Sequence, residues 1–177
     1  MSIKLSLFDL DKTLVPFNKD ELYPQAIDLL KEAAECGPIA IVTNQGGPAC
    51  RDAGWGDKFP TVEDVTRRLL RIRDKIEKLT SQRIFIYYCL VYKNKDGQLM
   101  WPEFLSHYGT PNYAPPIPGQ ADPSWRKPNP GMIEQAIIDN AVPRANVIFY
   151  GDSDDDEGAA LAAGVKFVKV EFDRKEN

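Results

Sequence analysis

Hydrophobic and polar positions along the chain alternate between two rhythms. Apolar runs, of the kind that form strands buried on both faces, occur at 3–10 (interrupted by Lys4, Ser6 and Asp9), 39–42, 84–89 and 147–150, with a last one near 166–170. Between them, apolar residues recur every three or four positions. Leu22, Ala26, Leu29, Leu30 and Ala33 make one such stripe, with Pro24 placed to open a helix and Gly37-Pro38 to end it. Val62, Val65, Leu69, Ile72, Ile76 and Leu79 make the cleanest one, opened by Thr61 and Asp64 at capping-box spacing. Met132, Ile133, Ala136 and Ile137 follow Pro128-Asn129-Pro130-Gly131, and the small residues from Gly158 to Ala163 read as a final helix. Strand, helix, strand units of this length imply parallel strands with right-handed crossovers. The predicted fold is α/β: a Rossmann-like three-layer α/β/α sandwich around a mainly parallel five-stranded sheet.

Two stretches break the rhythm. Residues 48–60 read as a loop carrying Arg51 and Trp55. Residues 91–126 are the least regular, with Trp101, the only histidine (His107) and a proline cluster; a loop of that length in a compact domain is usually functional or mobile. His107 has no acid or cysteine pattern nearby and reads as a packing or surface residue rather than a catalyst. One domain over residues 1–172 is expected, with a specificity loop at about 91–126 and a charged, fraying tail at 173–177.

Composition narrows the function classes. A net charge of −4 weighs against a surface built to grip nucleic acid, without excluding a local basic groove. Arg67, Arg68, Arg71, Lys75 and Lys78 line one side of the helix after Thr61, but Glu63, Asp74 and Glu77 are interspersed, so a solvated face is expected. Cys36, Cys50 and Cys89 are odd in number and widely spaced, which fits reduced thiols in the cytoplasm. No apolar run approaches membrane-spanning length, and a monomer without membrane contact is expected.

The candidate chemistry sits where strands end. Asp9 and Asp11 close the first apolar run, Thr43 and Asn44 the second, and Asp152 to Asp156 the fourth. A carboxylate at the end of a buried strand is costly unless compensated. Taken alone, Asp9 and Asp11 read equally well as the start of a polar turn. In a parallel sheet, however, these ends share one edge, where ligand crevices form. Asp9, Asp11 and Asp152 brought together need a cation. Mg²⁺ suits hard oxygen ligands, whereas the cysteines and the single histidine make no zinc set at usual spacings.

Phe8-Asp9-Leu10-Asp11-Lys12-Thr13, Val42-Thr43-Asn44, Lys127-Pro128 and Gly151-Asp152-Ser153-Asp154-Asp155-Asp156 resemble, in order, the four motifs of the haloacid dehalogenase superfamily. The resemblance implies that Asp9 is a nucleophile toward phosphorus and Asp11 a general acid and base. It implies that Asp9, the Asp11 backbone carbonyl and Asp152 hold Mg²⁺, that Thr43 and Lys127 hold phosphoryl oxygens, and that Asp156 orients Lys127 or a metal-bound water. Asp154 and Asp155 are expected to be a solvated acidic turn. The acid at Asp11 favours phosphoryl chemistry over dehalogenation. The short path from Thr13 to Thr43 implies that no large cap domain is present.

Thr43-Asn44-Gln45-Gly46-Gly47 and Arg126-Lys127-Pro128-Asn129-Pro130-Gly131 further resemble the capless branch with heptose-bisphosphate, histidinol-phosphate and polynucleotide 3′-phosphatases. There Asn44, Gln45, Gly46, Arg51 and Arg126 are the expected substrate-binding positions. The cysteine and histidine zinc loop common in the bacterial heptose and histidinol enzymes is not matched: only Cys89 remains. The resemblance therefore implies a Mg²⁺-dependent phosphatase acting on a small phosphorylated metabolite such as a sugar phosphate. The alternatives are a polynucleotide 3′-phosphatase using Arg51, Arg126, the basic helix face, Trp55 and Trp101, and a non-catalytic phosphate-binding module that has kept the fold.

Overall fold

The computed structural model describes residues 4–103 and 119–172; His107 and the charged tail lie outside the described residues. Its centre is β1 (Leu5–Phe8), buried at every position, the polar Ser6 included, as expected of a central strand covered on both faces. The run continues through Leu10, yet the strand stops at Phe8. There the chain turns: Asp9 N–H still donates to the Tyr150 carbonyl, but Leu14 N–H donates back to the Leu10 carbonyl and Lys12 N–H to the Val15 carbonyl. Leu10 and Leu14 remain fully buried as parts of this turn rather than of the sheet.

Around β1 stand β2 (Ile39–Asn44), β3 (Phe85–Cys89), β6 (Val147–Gly151) and β7 (Lys166–Lys169). The order is β3-β2-β1-β6-β7, and every pairing is parallel. The chain winds outward from β1 in one direction to β3 and in the other to β7. The reversal lies beside β1, so a crevice is expected at its carboxyl end. Asp9 is the first residue past that end.

Helices cover both faces of the sheet. On one side α1 (Pro24–Cys36) and α3 (Val62–Thr80) bury Ala26, Leu30, Leu69 and Ile72 against Phe8, Ile39 and Ile41. The predicted capping box opens α3: Thr61 Oγ1 accepts from Asp64 N–H at 3.1 Å, and Thr61 N–H donates to Asp64 Oδ2 at 3.0 Å. On the other side α4 (Gly131–Asn140) and α5 (Asp154–Ala163) pack against Leu5, Leu7, Ala40, Val42 and Phe149. From β1 to α1 the described chain makes only tight turns, so no cap domain is inserted there. No described helix is long and apolar enough to cross a membrane.

Three expectations are corrected. Residues 48–60 are not simply a loop: α2 (Gly47–Cys50) runs on into a wide helical turn over Arg51–Trp55, too short to show an apolar period. The 91–126 stretch contains an antiparallel hairpin of β4 (Tyr92–Lys93) and β5 (Leu99–Met100). Its turn is tied by Asn94 Oδ1, which accepts from Asp96 and Gln98 N–H, and it uses Gly97 at φ 83°. Finally, α5 begins at Asp154 rather than Gly158, so Asp154 and Asp155 are exposed residues of its first turn. Ser153 caps it, and carboxylates there favour the helix N-terminus.

Candidate functional site

The strand ends converge as expected. Asp9, Asp11, Thr43, Asn44, Lys127 and Asp152 all line one open cleft of about 200 Å³, together with Lys12, Phe17, Ser153 and Asp155. Asp9 and Thr43 are buried at the floor because they directly continue or end central strands.

Lys127 arrives from the segment before α4 and is only 3% exposed. Its ammonium donates to Asp9 Oδ1 at 2.5 Å, Asp156 Oδ1 at 2.5 Å and the Val42 carbonyl at 3.1 Å. These satisfy its three donors in a place where an unpaired charge would be untenable. Burial pulls the lysine pKa down, but the charges of Asp9 and Asp156 and their hydrogen bonds outweigh this and leave it raised. Burial pushes the Asp9 carboxyl up against the opposing charge of Lys127, with Asp156 adding to the rise.

Asp156 is the pivot of this end of the sheet. Its Oδ1 takes the Lys127 proton donor while its Oδ2 accepts from Asp152 N–H, Ser153 N–H and Ser153 Oγ. Gly151 makes this possible, since a Cβ there would meet the Asp156 Cβ at 2.5 Å. One carboxylate oxygen from each of Asp9, Asp152 and Asp156 lies within 4.8 Å of the others. Three carboxylates against one ammonium leave two negative charges in a confined space. A small divalent cation with oxygen preference neutralises that surplus, so the donor set fits Mg²⁺. The Asp11 carboxylate stands outside this cluster.

Asn44 and Gln45 act within the site. The Asn44 amide accepts from Lys127 N–H at 3.0 Å and donates to the Lys127 carbonyl at 3.1 Å, fixing the segment that delivers the ammonium. Gln45 Nε2 donates to Thr43 Oγ1 and to Asp11 Oδ2, at 3.1 and 3.0 Å. The other expected substrate-binding positions face elsewhere. Gly46 packs under Tyr92, Arg51 bonds the Asp57 and Phe59 carbonyls and pairs with Asp57, and Arg126 bonds the Val91 carbonyl with its guanidinium over the Tyr92 ring. Arg51 lines a neighbouring cleft of about 360 Å³ between α3 and the 57–60 turn.

A further residue in contact with the site escaped sequence reasoning. Arg68 belongs to the helix face expected to be solvated, yet its side chain is 11% exposed and grips Asp11 with both terminal nitrogens, at 2.7 and 3.2 Å. Three of the other four cations of that face bind acids too: Arg67 pairs with Glu63, Arg71 with Asp20 and Lys75 with Glu21.

A family model described as haloacid dehalogenase-like hydrolase matches residues 69–170. That span takes in Lys127, Asp152 and Asp156, while Asp9, Asp11 and Thr43 precede it. Among solved structures, the chain is similar to a D,D-heptose 1.7-bisphosphate phosphatase from B. bronchiseptica complexed with magnesium and phosphate. The TM-score is 0.63 at 18% identity, covering 93% of this chain and 79% of that one. A putative HAD-like phosphatase from Mesorhizobium loti gives 0.61 at 19% identity, covering 93% and 70%. An uncharacterized protein from Listeria monocytogenes serotype 4b gives 0.52 at 15% identity, covering 98% and 85%. At such identities the likeness is one of fold. No curated protein matches the chain significantly.

Proposed function

The chain belongs to the haloacid dehalogenase-like hydrolases, and from that premise we propose that it is a Mg²⁺-dependent phosphatase of small phosphomonoesters. The observation that carries this reading is the buried Lys127 held between Asp9 and Asp156, with Asp152 beside them, at the carboxyl end of the central strand. A nucleophilic carboxylate, a cation for phosphoryl oxygens and a hard-oxygen cluster in one cleft are the parts that phosphoryl transfer requires.

In this reading an Asp9 carboxylate oxygen forms a bond to phosphorus as the bond to the leaving oxygen breaks. Asp11 gives its proton to that oxygen, releasing an alcohol and leaving an aspartyl-phosphate on Asp9. Water then attacks the phosphorus, Asp11 takes the water's proton, and phosphate departs with the Asp9 carboxylate restored. Lys127 and Thr43 hold the non-bridging oxygens throughout. Asp9, Asp152 and the Asp11 carbonyl would hold Mg²⁺, which would supply charge neutralisation at the phosphoryl group. Asp156 keeps Lys127 aimed.

A small substrate is favoured over a nucleic-acid strand because the basic face of α3 is engaged by the protein's own acids. Arg67, Arg68, Arg71 and Lys75 each meet a carboxylate, which leaves them no ready phosphate track. The test is phosphate release with Mg²⁺ from sugar phosphates, nucleotides and a 3′-phosphorylated oligonucleotide. Release from a sugar phosphate, abolished in Asp9→Asn, is expected. Preference for the oligonucleotide would overturn the substrate class, and release that survives Asp9→Asn would overturn the chemistry.

A further inference from the structure

The Asp11 carboxylate is held from three parts of the chain. Asn18 N–H donates to Oδ1 at 3.0 Å, Gln45 Nε2 to Oδ2 at 3.0 Å, and Arg68 to Oδ1 and Oδ2 at 2.7 and 3.2 Å. A carboxylate has about four acceptor positions, so this one is full. Arg68 is itself anchored: its Nη2 donates to the Lys19 carbonyl at 2.7 Å, and its Nε lies 3.4 Å from Asp20 Oδ1. The bidentate fork fixes the carboxylate's plane as well as its position. Gln45, by contrast, sits between Asp11 and Thr43 and bonds both.

We propose that Arg68 is a positioning residue that aims Asp11 at the leaving oxygen, with the Gln45 amide as the contact that an arriving leaving oxygen displaces. The inference rests on the phosphatase reading above. A leaving oxygen can reach Asp11 only by replacing an existing donor. Replacing Gln45 opens the side facing Thr43, where the phosphoryl group would lie, and leaves the Arg68 fork in place. Arg68 then serves proton transfer to the leaving group and not phosphoryl binding. Its loss is felt most by substrates whose leaving oxygen needs a proton.

The experiment compares an alkyl phosphate, whose alkoxide leaves poorly, with p-nitrophenyl phosphate, whose phenolate leaves well. Wild type, Arg68→Lys, Arg68→Gln, Asp11→Asn and Arg68→Lys/Asp11→Asn are assayed with Mg²⁺ for kcat and KM. The expected result is a drop of about tenfold or more in the alkyl-to-aryl ratio of kcat/KM, which reports formation of the aspartyl-phosphate and not its shared hydrolysis, in the Arg68 variants, since general acid catalysis contributes roughly 10²–10⁴-fold. Arg68→Lys should change that ratio little in the Asp11→Asn background. Turnover of the aryl ester certifies that each variant is folded. Equal losses of kcat/KM on both substrates, or independent multiplication of the two substitutions, would overturn the inference while leaving the phosphatase reading intact. A wild type inactive on both esters would overturn both.

Discussion

Lys127 and Asp156, 29 residues apart, meet in a 2.5 Å hydrogen bond in which both partners are almost wholly buried. The same carboxylate caps α5 through Ser153, so the helix start and the lysine's aim depend on one side chain.

Asp156→Ala should therefore damage fold and site together. Breaking a buried ion pair typically costs about 3–5 kcal/mol, and losing a helix cap about 1 kcal/mol. Retention of an acceptor oxygen in Asp156→Asn should preserve the cap but not the charge. Denaturant melts should rank wild type above Asp156→Asn and that above Asp156→Ala. Equal stability of all three would mean that Asp156 does not hold this corner together.

Asn44 lines the cleft, yet its amide is committed to the Lys127 backbone. Asn44→Ala removes both hydrogen bonds and frees the segment carrying the ammonium. Misplacing a catalytic group by about 1 Å can cost about 10²-fold in rate. The expected phenotype is a fall in kcat of that order with Mg²⁺ affinity unchanged by calorimetry. A rise in KM at constant kcat would instead assign Asn44 to substrate binding.

What was legible in the chain was whatever local chemistry controls. The Thr61–Asp64 box and the stripe from Val62 to Leu79 are set within one helix and appear as read. Acids after apolar runs marked Asp9 and Asp152, because burying a carboxylate needs a reason. Pairings between distant polar groups left no trace. Arg68 meets Asp11 across 57 residues and Asn44 meets Lys127 across 83, and neither contact has a period or a composition. Some signals were present but passed over. Asp96-Gly97 is a turn dipeptide inside the β4–β5 connection, and Ser153 and Asp156 have the spacing of a helix cap.

The cysteines report on packing. Cys36 is exposed, whereas Cys50 and Cys89 are buried. Burial pushes the Cys50 thiol up and the Cys89 thiol up to about 11, which leaves little thiolate at neutral pH. A thiol reagent at pH 8 should modify Cys36 fast and the other two only as the protein opens. Three equally fast reactions would contradict the packing of β3 and α2.

Asp9 ties stability to pH. Burial is the largest cause, opposed by Lys127 and aided by Asp156, and it raises the carboxyl from its ordinary value of 3.8 to about 7. A raised acid binds its proton more tightly folded than unfolded, so its contribution favours folding below the lower value and is lost as pH climbs through the upper one. Without metal, wild type should lose ground to Asp9→Asn, a neutral mimic of the protonated acid, between about pH 4 and pH 7. Saturating Mg²⁺ should reverse the order above pH 7, because the cation binds the folded carboxylate that Asn cannot supply. Thermal melts of both proteins, with Mg²⁺ and with chelator, decide the matter. Crossing curves are expected; parallel curves at all pH values would mean that the Asp9 charge is fully compensated without a metal.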